Sequence, residues 1–152
     1  MDIREGGLDA PQIIDLLELH AEAMRANSPR DSCHFLDLAG LRQKGVTFWS
    51  AWDGDTALGC GALKELDAGH GEIKSMRTAP GHLRRGVGAG LLSHILSVAR
   101  DRGYTRLSLE TGSGEAFDPA RHLYRMFGFN DCGAFGGYAE GDPFSRFMTR
   151  TL

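Results

Sequence analysis

The chain has 152 residues, a hydrophobic content of 41% and a formal net charge of −3. This length suits one core that buries about two thirds of the unfolded surface, so we expect residues 1–152 to form a single domain. The weak negative charge gives no general attraction to nucleic acid. No apolar run approaches the ~20 residues of a membrane span, and the first seven residues lack the pattern of a secretory leader. We therefore expect a cytoplasmic protein without nucleic-acid or membrane partners.

The cysteines predict neither a disulfide framework nor a structural metal site. Cys33, Cys60 and Cys132 lie far apart, and none belongs to a Cys-x-x-Cys pair. We expect reduced thiols, those of Cys60 and Cys132 being inert parts of the core.

The N-terminal third predicts a short strand followed by two helices. The strand covers residues 1–5, and the second, shorter helix covers Leu36 to Gln43. The first helix is predicted from residues that share one helical face: Ile13, Leu16, Leu17, His20 and Met24.

Three antiparallel strands are predicted next. Phe48 to Trp52 and Ala57 to Leu66 flank the turn residues Asp53-Gly54-Asp55, which is typical of a hairpin. A second turn leads into Glu72 to Thr78. Because aromatic residues in a hairpin usually lie in the core, we assign no site role to the two tryptophans of the first strand.

The second half of the chain predicts a helix, a strand, another helix and a final strand pair. The first helix ends before Gly103, and its apolar stripe is Leu91, Leu92, Ile95, Leu96 and Ala99. The later elements are a strand over 104–111, a helix capped by Asp118 with Pro119 at its first position, and strands near 129–132 and 145–152. This order predicts an α+β domain in which helices cover a mixed, mostly antiparallel sheet.

A glycine-rich segment joins the third predicted strand of the central group to the following helix. It contains Arg84, Arg85, Gly86, Val87, Gly88 and Ala89. Helix N-termini offer unpaired N–H groups and a positive dipole end, glycines allow close approach, and arginines bind phosphate. The segment predicts a pyrophosphate site.

Two other phosphate loops fit less well. A Walker loop needs Gly-Lys-Ser or Gly-Lys-Thr, which is missing here. A dinucleotide fingerprint requires glycine where the chain has Leu91, although Glu110 lies near the distance of its ribose-binding acid. NAD binding therefore stays open as a minor alternative.

These features resemble the GCN5-related N-acetyltransferase superfamily, whose signature (Gln/Arg)-x-x-Gly-x-(Gly/Ala) precedes the central helix. Gly86 and Gly88 match its glycines, whereas Leu83 replaces the first residue. Leu123-Tyr124-x-x-Phe127-Gly128-Phe129 is similar to the end of the family's last helix, and Phe117 stands where many relatives have asparagine. Segments 46–52, 71–78 and 109–113 also resemble bacterial YsnE-type acetyltransferases.

The resemblance implies a sheet whose strands splay apart around acetyl-CoA. The phosphates would bind at Arg84 to Ala89, and the pantetheine arm would lie beside Met76, Arg77 and Thr78. A main-chain N–H near Met76 or Arg77 would hold the oxyanion. An attacking amine needs a base and a leaving thiolate needs an acid. Glu72 is the first candidate for the base and Glu110 the second. Tyr124 matches the family's general-acid tyrosine, which favours it as the acid, and the alternative is a core residue of the apolar helical stripe.

The predicted function is acetyl-CoA-dependent acetylation of a small-molecule primary amine by direct attack. Three alternatives stay open: acetylation of a protein N-terminus, acetylation of lysine, and a non-catalytic acyl-CoA sensor. Arg77 has two interpretations, an acceptor carboxylate partner or a surface ion pair, and the first would favour an amino-acid-like substrate. Homodimer formation is open. Glu72 in turn is either the base or a carboxylate paired with Lys74 or Arg77.

Overall fold

A computed structural model describes residues 1–152 of the chain. Seven strands form one sheet in the order β1-β2-β3-β4-β5-β7-β6, and all neighbours are antiparallel except the parallel pair β4 and β5. The strands are β1 (Asp2–Glu5), β2 (Val46–Asp53), β3 (Thr56–Asp67), β4 (His70–Thr78), β5 (Arg106–Gly112), β6 (Asn130–Cys132) and β7 (Ser145–Thr151). The predicted α+β class is confirmed.

Four α-helices cover the sheet: α1 (Pro11–Asn27), α2 (Leu38–Leu41), α3 (Val87–Asp101) and α4 (Asp118–Met126). The predicted second helix is shorter than expected at both ends. The Asp37 side chain caps its start by accepting a hydrogen bond from the Gly40 N–H, and the helix ends at Leu41. Asp118 is the first residue of α4 and not its cap, because a 3₁₀ turn over Glu115–Phe117 leads directly into the helix. The Asp118 carboxylate instead pairs with Arg121.

Two apolar clusters fill the two sides of the sheet. The stripe of α3 packs against β3 and β4, in a cluster that also contains the buried residues Ile73, Leu107 and Leu109. The stripe of α1 packs against β3 and β4, in a cluster that also contains Phe48 and Trp52 of β2. Trp49 and Trp52 are both buried in these clusters, which agrees with their assignment to the core.

Three further features bear on the sequence predictions. All three cysteines are free thiols, and burial raises the pKa of Cys60 to about 12, so this thiol does not ionise near neutral pH. None of the helices has the length and apolar character needed to cross a membrane.

Candidate active site

The parallel strands β4 and β5 separate halfway along their length. They pair from His70 opposite Arg106 to Ile73 opposite Leu109, and the rest of β4 pairs only with β3. The β3 register shifts beside this point, and Ser75 has a φ of 56°, a left-handed conformation that is uncommon for residues other than glycine. A bulge in β4 therefore turns the strand away from β5 and opens a cleft.

A groove of about 520 Å³ occupies this cleft. Its walls are the end of β4, the loop before α3, the first turns of α3, and α4. The predicted acetyl-CoA residues that line it are Met76, Arg77, Thr78, Arg84, Gly86, Val87, Gly88 and Ala89. Arg85 is exposed and lies outside the lining. Leu83, at the position of the altered signature residue, lines the groove and is 62% exposed.

The N-terminus of α3 has the properties of an anion site. Gly86 precedes the helix with a φ of 80°, no side chain caps the helix, and no acidic residue lies in its first turn. The first N–H groups of the helix are therefore free to face the groove. A Cβ atom on Gly88 would lie 3.1 Å from Leu123 Cδ2, so a larger side chain there would narrow the groove.

A second, smaller cavity of about 160 Å³ adjoins the groove. Its walls come from α1, residues 34–35, β4, β5 and the segment leading into α4. The residues that line both spaces are Met76, Arg77, Ala116, Ala120 and Tyr124. The two spaces therefore share a boundary, with one of the candidate catalytic residues, Tyr124, on it.

Glu110 lines the small cavity from β5. Burial raises the pKa of its carboxyl to about 7, although the nearby Lys74 opposes part of this shift. A carboxyl group with this pKa exchanges protons close to neutral pH, as a general base must.

Glu72, by contrast, does not line either space. Its side chain is 3% exposed, and its Oε2 atom accepts hydrogen bonds from Lys74 Nζ at 3.2 Å and from the Tyr138 hydroxyl at 2.5 Å. The pairing with Lys74 is the second of the two interpretations that the sequence allowed. Glu72 therefore anchors its neighbours, and nothing in its surroundings exposes it to an acceptor amine.

Tyr138 is a residue that sequence reasoning missed. It lies in the glycine-containing segment between β6 and β7 and packs against His34, Phe135 and Phe147. Burial and the charge of Glu72 raise the pKa of Tyr138 well above its usual value, so the hydroxyl keeps its proton and donates it in the hydrogen bond. Its distance from Glu72 in sequence, 66 residues, hides this contact from any local motif.

Tyr124 is buried in α4, where its ring contacts Phe129. Burial raises the pKa of its hydroxyl to about 12, and the positive charge of Arg77 opposes this shift. The hydroxyl is protonated at neutral pH and can donate a proton or a hydrogen bond at the boundary of the two spaces.

Arg77 crosses from β4 to α1. Its Nε donates a hydrogen bond to His20 Nδ1 at 2.9 Å, and His20 lines the small cavity. Burial, followed by the charge of Arg77, lowers the pKa of His20 to about 4, so this histidine is neutral. The sequence signal for His20 was a polar residue within an apolar helical stripe.

The splayed sheet, the helix N-terminus and the two adjoining spaces define an acyltransferase fold. The Acetyltransferase (GNAT) family matches residues 13–129 of the chain, so the chain belongs to this family and is an acyltransferase.

Two curated relatives extend over almost the whole chain. An uncharacterized N-acetyltransferase, YsnE of Bacillus subtilis, is 53% identical over 100% of both chains. The uncharacterized N-acetyltransferase YedL of Escherichia coli is 49% identical over 99% of this chain and 94% of its own. The predicted membership of the superfamily and the likeness to YsnE-type proteins are confirmed.

Solved structures agree with this assignment. A putative acyl-CoA N-acyltransferase from Klebsiella pneumoniae superposes with a TM-score of 0.81 at 29% identity, over 99% of this chain and 97% of the other. A GNAT family acetyltransferase from Elizabethkingia anophelis with acetyl-CoA bound superposes with a TM-score of 0.72 at 20% identity, over 99% and 97% of the two chains. The second likeness shows the shared fold.

Proposed function

We propose that the protein moves the acetyl group of acetyl-CoA onto the primary amine of a small molecule by direct attack. One observation carries the proposal: the groove with a free helix N-terminus adjoins a cavity that holds a carboxyl group of pKa about 7. Residues 1–152 would act as one N-acetyltransferase domain, because a single sheet carries both spaces.

Acetyl-CoA would lie along the groove. Main-chain N–H groups of Val87, Gly88 and Ala89 would bind the pyrophosphate, and Arg84 would add positive charge. The side chain of Leu83 cannot donate a hydrogen bond, so the main chain must supply most of this recognition. The acyl end would reach the boundary with the small cavity, where the main chain around Met76 would stabilise the oxyanion.

Glu110 would take the proton of the incoming ammonium. It faces the small cavity and ionises near neutral pH, whereas Glu72 is covered by Lys74 and Tyr138. The first choice of base from the sequence, Glu72, stays a prediction, and we place Glu110 ahead of it. Tyr124 would then give a proton or a hydrogen bond to the departing thiolate.

The small volume of the cavity favours a compact amine over the end of a folded protein. The test is a screen of small amines with acetyl-CoA that measures free-thiol release and product mass. We expect release that depends on the amine, together with a higher melting temperature in CoA but not in NAD. CoA binding without turnover of any amine would favour the acyl-CoA sensor, and stabilisation by NAD alone would overturn the acetyl-CoA site.

A further inference from the structure

We propose that the acceptor carries a carboxylate as well as its amine, and that Arg77 binds this carboxylate. The inference rests on the proposed acetyl transfer and names the class of amine that the small cavity takes. Neutral amino acids with apolar side chains are the simplest members of this class.

The guanidinium of Arg77 has no acidic partner in the protein. The ion pairs of the fold join other residues, and the one side-chain hydrogen bond of Arg77 uses Nε to reach the neutral His20. An arginine offers five N–H donors in a planar fork that matches a carboxylate. The two terminal nitrogens of Arg77 are thus free for an anion, and the side chain is half-buried, where an uncompensated charge is unfavourable.

Arg77 differs from the other lysine or arginine of the cavity lining in having no acidic partner. Lys74 is the other lysine or arginine of the lining, and its charge is offset by Glu72 at 3.2 Å. An acceptor carboxylate would therefore find its uncompensated positive partner at Arg77. Its ammonium group would at the same time face the carboxyl group of Glu110 in the same cavity.

Arg77 also lines the groove, so the phosphates of CoA are the competing anion. The position of the side chain favours the acceptor. Its Nε is fixed to α1, which contributes four residues to the small cavity and none to the groove. The helix N-terminus and Arg84 already provide the groove with a phosphate site.

The rest of the cavity wall limits the remainder of the acceptor. Met24, Phe35 and Phe117 give it an apolar part, which suits an uncharged side chain and disfavours a second charge. The amine, the carboxylate and an apolar group together describe a neutral amino acid.

Matched acceptor sets test the inference. Methionine, leucine and phenylalanine are each compared with their carboxamides and with their decarboxylated amines in the thiol-release assay. For the wild type we expect kcat/KM for at least one acid to exceed that of its two analogues by about 10²-fold or more. The analogues lack the carboxylate and would leave the Arg77 guanidinium without a partner.

Three variants test whether Arg77 binds the acceptor carboxylate or the phosphates of CoA. Arg77→Gln should lose the preference for the acid and keep the wild-type Kd for CoA, measured by calorimetry, while Arg77→Lys should retain part of the preference. Arg84→Gln, the matched control, should weaken CoA binding and keep the preference for the acid. Far-UV circular dichroism and the melting temperature show whether each variant is folded, independently of CoA binding.

The remaining outcomes oppose the inference. Equal or better turnover of the carboxamides or amines would overturn it and leave the proposed acetyl transfer intact. No turnover of any acid would also overturn it, and the CoA titration of the wild type would then show whether the acetyl-CoA site fails as well. A loss of CoA affinity in Arg77→Gln with the acid preference unchanged would assign Arg77 to the cofactor.

Discussion

The groove and the small cavity meet at Tyr124, yet they are built in different ways. Much of the groove comes from one continuous segment, residues 83–89, which presents main-chain groups at the start of α3. The cavity takes side chains from α1, residues 34–35, β4, β5 and the start of α4. A site made of local main chain can be read from a motif, whereas a site made of distant side chains depends on the whole fold.

Gly88→Val is the strongest way to break the groove. The added methyl groups would press on Leu123, since even a Cβ atom would lie 3.1 Å from its Cδ2, and would fill the path of the pyrophosphate. We expect the Kd for CoA to rise by at least about 10²-fold, measured by calorimetry. The fold should persist because the contact is with the end of a flexible side chain.

Gly133→Val is the matched control for this experiment. Nothing lies within 4 Å of a Cβ atom at Gly133, which does not line the groove. CoA should bind this variant as it binds the wild type. Wild-type affinity in Gly88→Val as well would place the phosphates somewhere other than the N-terminus of α3.

The same contrast explains what the sequence could predict. Apolar periodicity predicted α1, α3 and α4, and the glycine pattern predicted the loop before α3, whose residues line the groove, because both patterns are local. The positions of Glu72 and Glu110 relative to the cavity depend on where β4 and β5 part and on Tyr138, which comes from a loop late in the chain. Neither fact leaves a local pattern, so sequence alone kept both carboxylates as candidates.

Glu110→Gln tests the small cavity. We expect turnover to fall by about 10²-fold or more, within the usual share of a general base, while the Kd for CoA stays the same. The wild-type kcat/KM should rise with pH to a plateau above an apparent pKa of about 7, because the base acts only when ionised. In Glu110→Gln, kcat/KM should no longer rise with pH in this way. An unchanged pH profile in this variant would mean that a group other than Glu110 causes the rise.

The pH dependence of protein stability gives an independent test of the raised pKa of Glu110. Its folded pKa of about 7 exceeds the reference value of 4.5, so the stability it contributes is present below pH 4.5 and is lost as the pH rises through 7. A neutral glutamine avoids this loss. Glu110→Gln should therefore raise the free energy of unfolding by roughly 1–3 kcal/mol at pH 8 and by under about 1 kcal/mol at pH 5. Equal effects at both pH values would contradict the raised pKa.

Tyr124→Phe examines the boundary between the two spaces. The ring and its contact with Phe129 remain, so the melting temperature and the Kd for CoA should change little. Turnover should fall roughly 10-fold to 10³-fold if the hydroxyl protonates the thiolate. Wild-type turnover would leave Tyr124 as a packing residue and the thiolate protonated by water.

Glu72→Gln should have the smallest effect on turnover, less than about 10-fold, and it decides between the two carboxylates as the base. Its larger effect should be on stability. Glutamine can still accept hydrogen bonds from Lys74 and Tyr138, but the buried charge of Lys74 loses its counter-ion. Breaking a buried ion pair in this way is destabilising, here by about 3 kcal/mol or more, measured by denaturant unfolding.

The double variant Glu72→Gln with Lys74→Met gives the control for that interpretation. It removes the unpaired charge together with its partner, so it should recover much of the lost stability, as replacement of both members of a buried pair often does. Tyr138→Phe should reproduce part of the loss, because it deletes the 2.5 Å hydrogen bond to Glu72 and keeps the ring between His34 and Phe147. If Glu72→Gln instead lowers turnover by 10² or more at wild-type stability, and Glu110→Gln does not, the proton passes to Glu72. The covering side chains Lys74 and Tyr138 would then have to move aside before an amine could reach it.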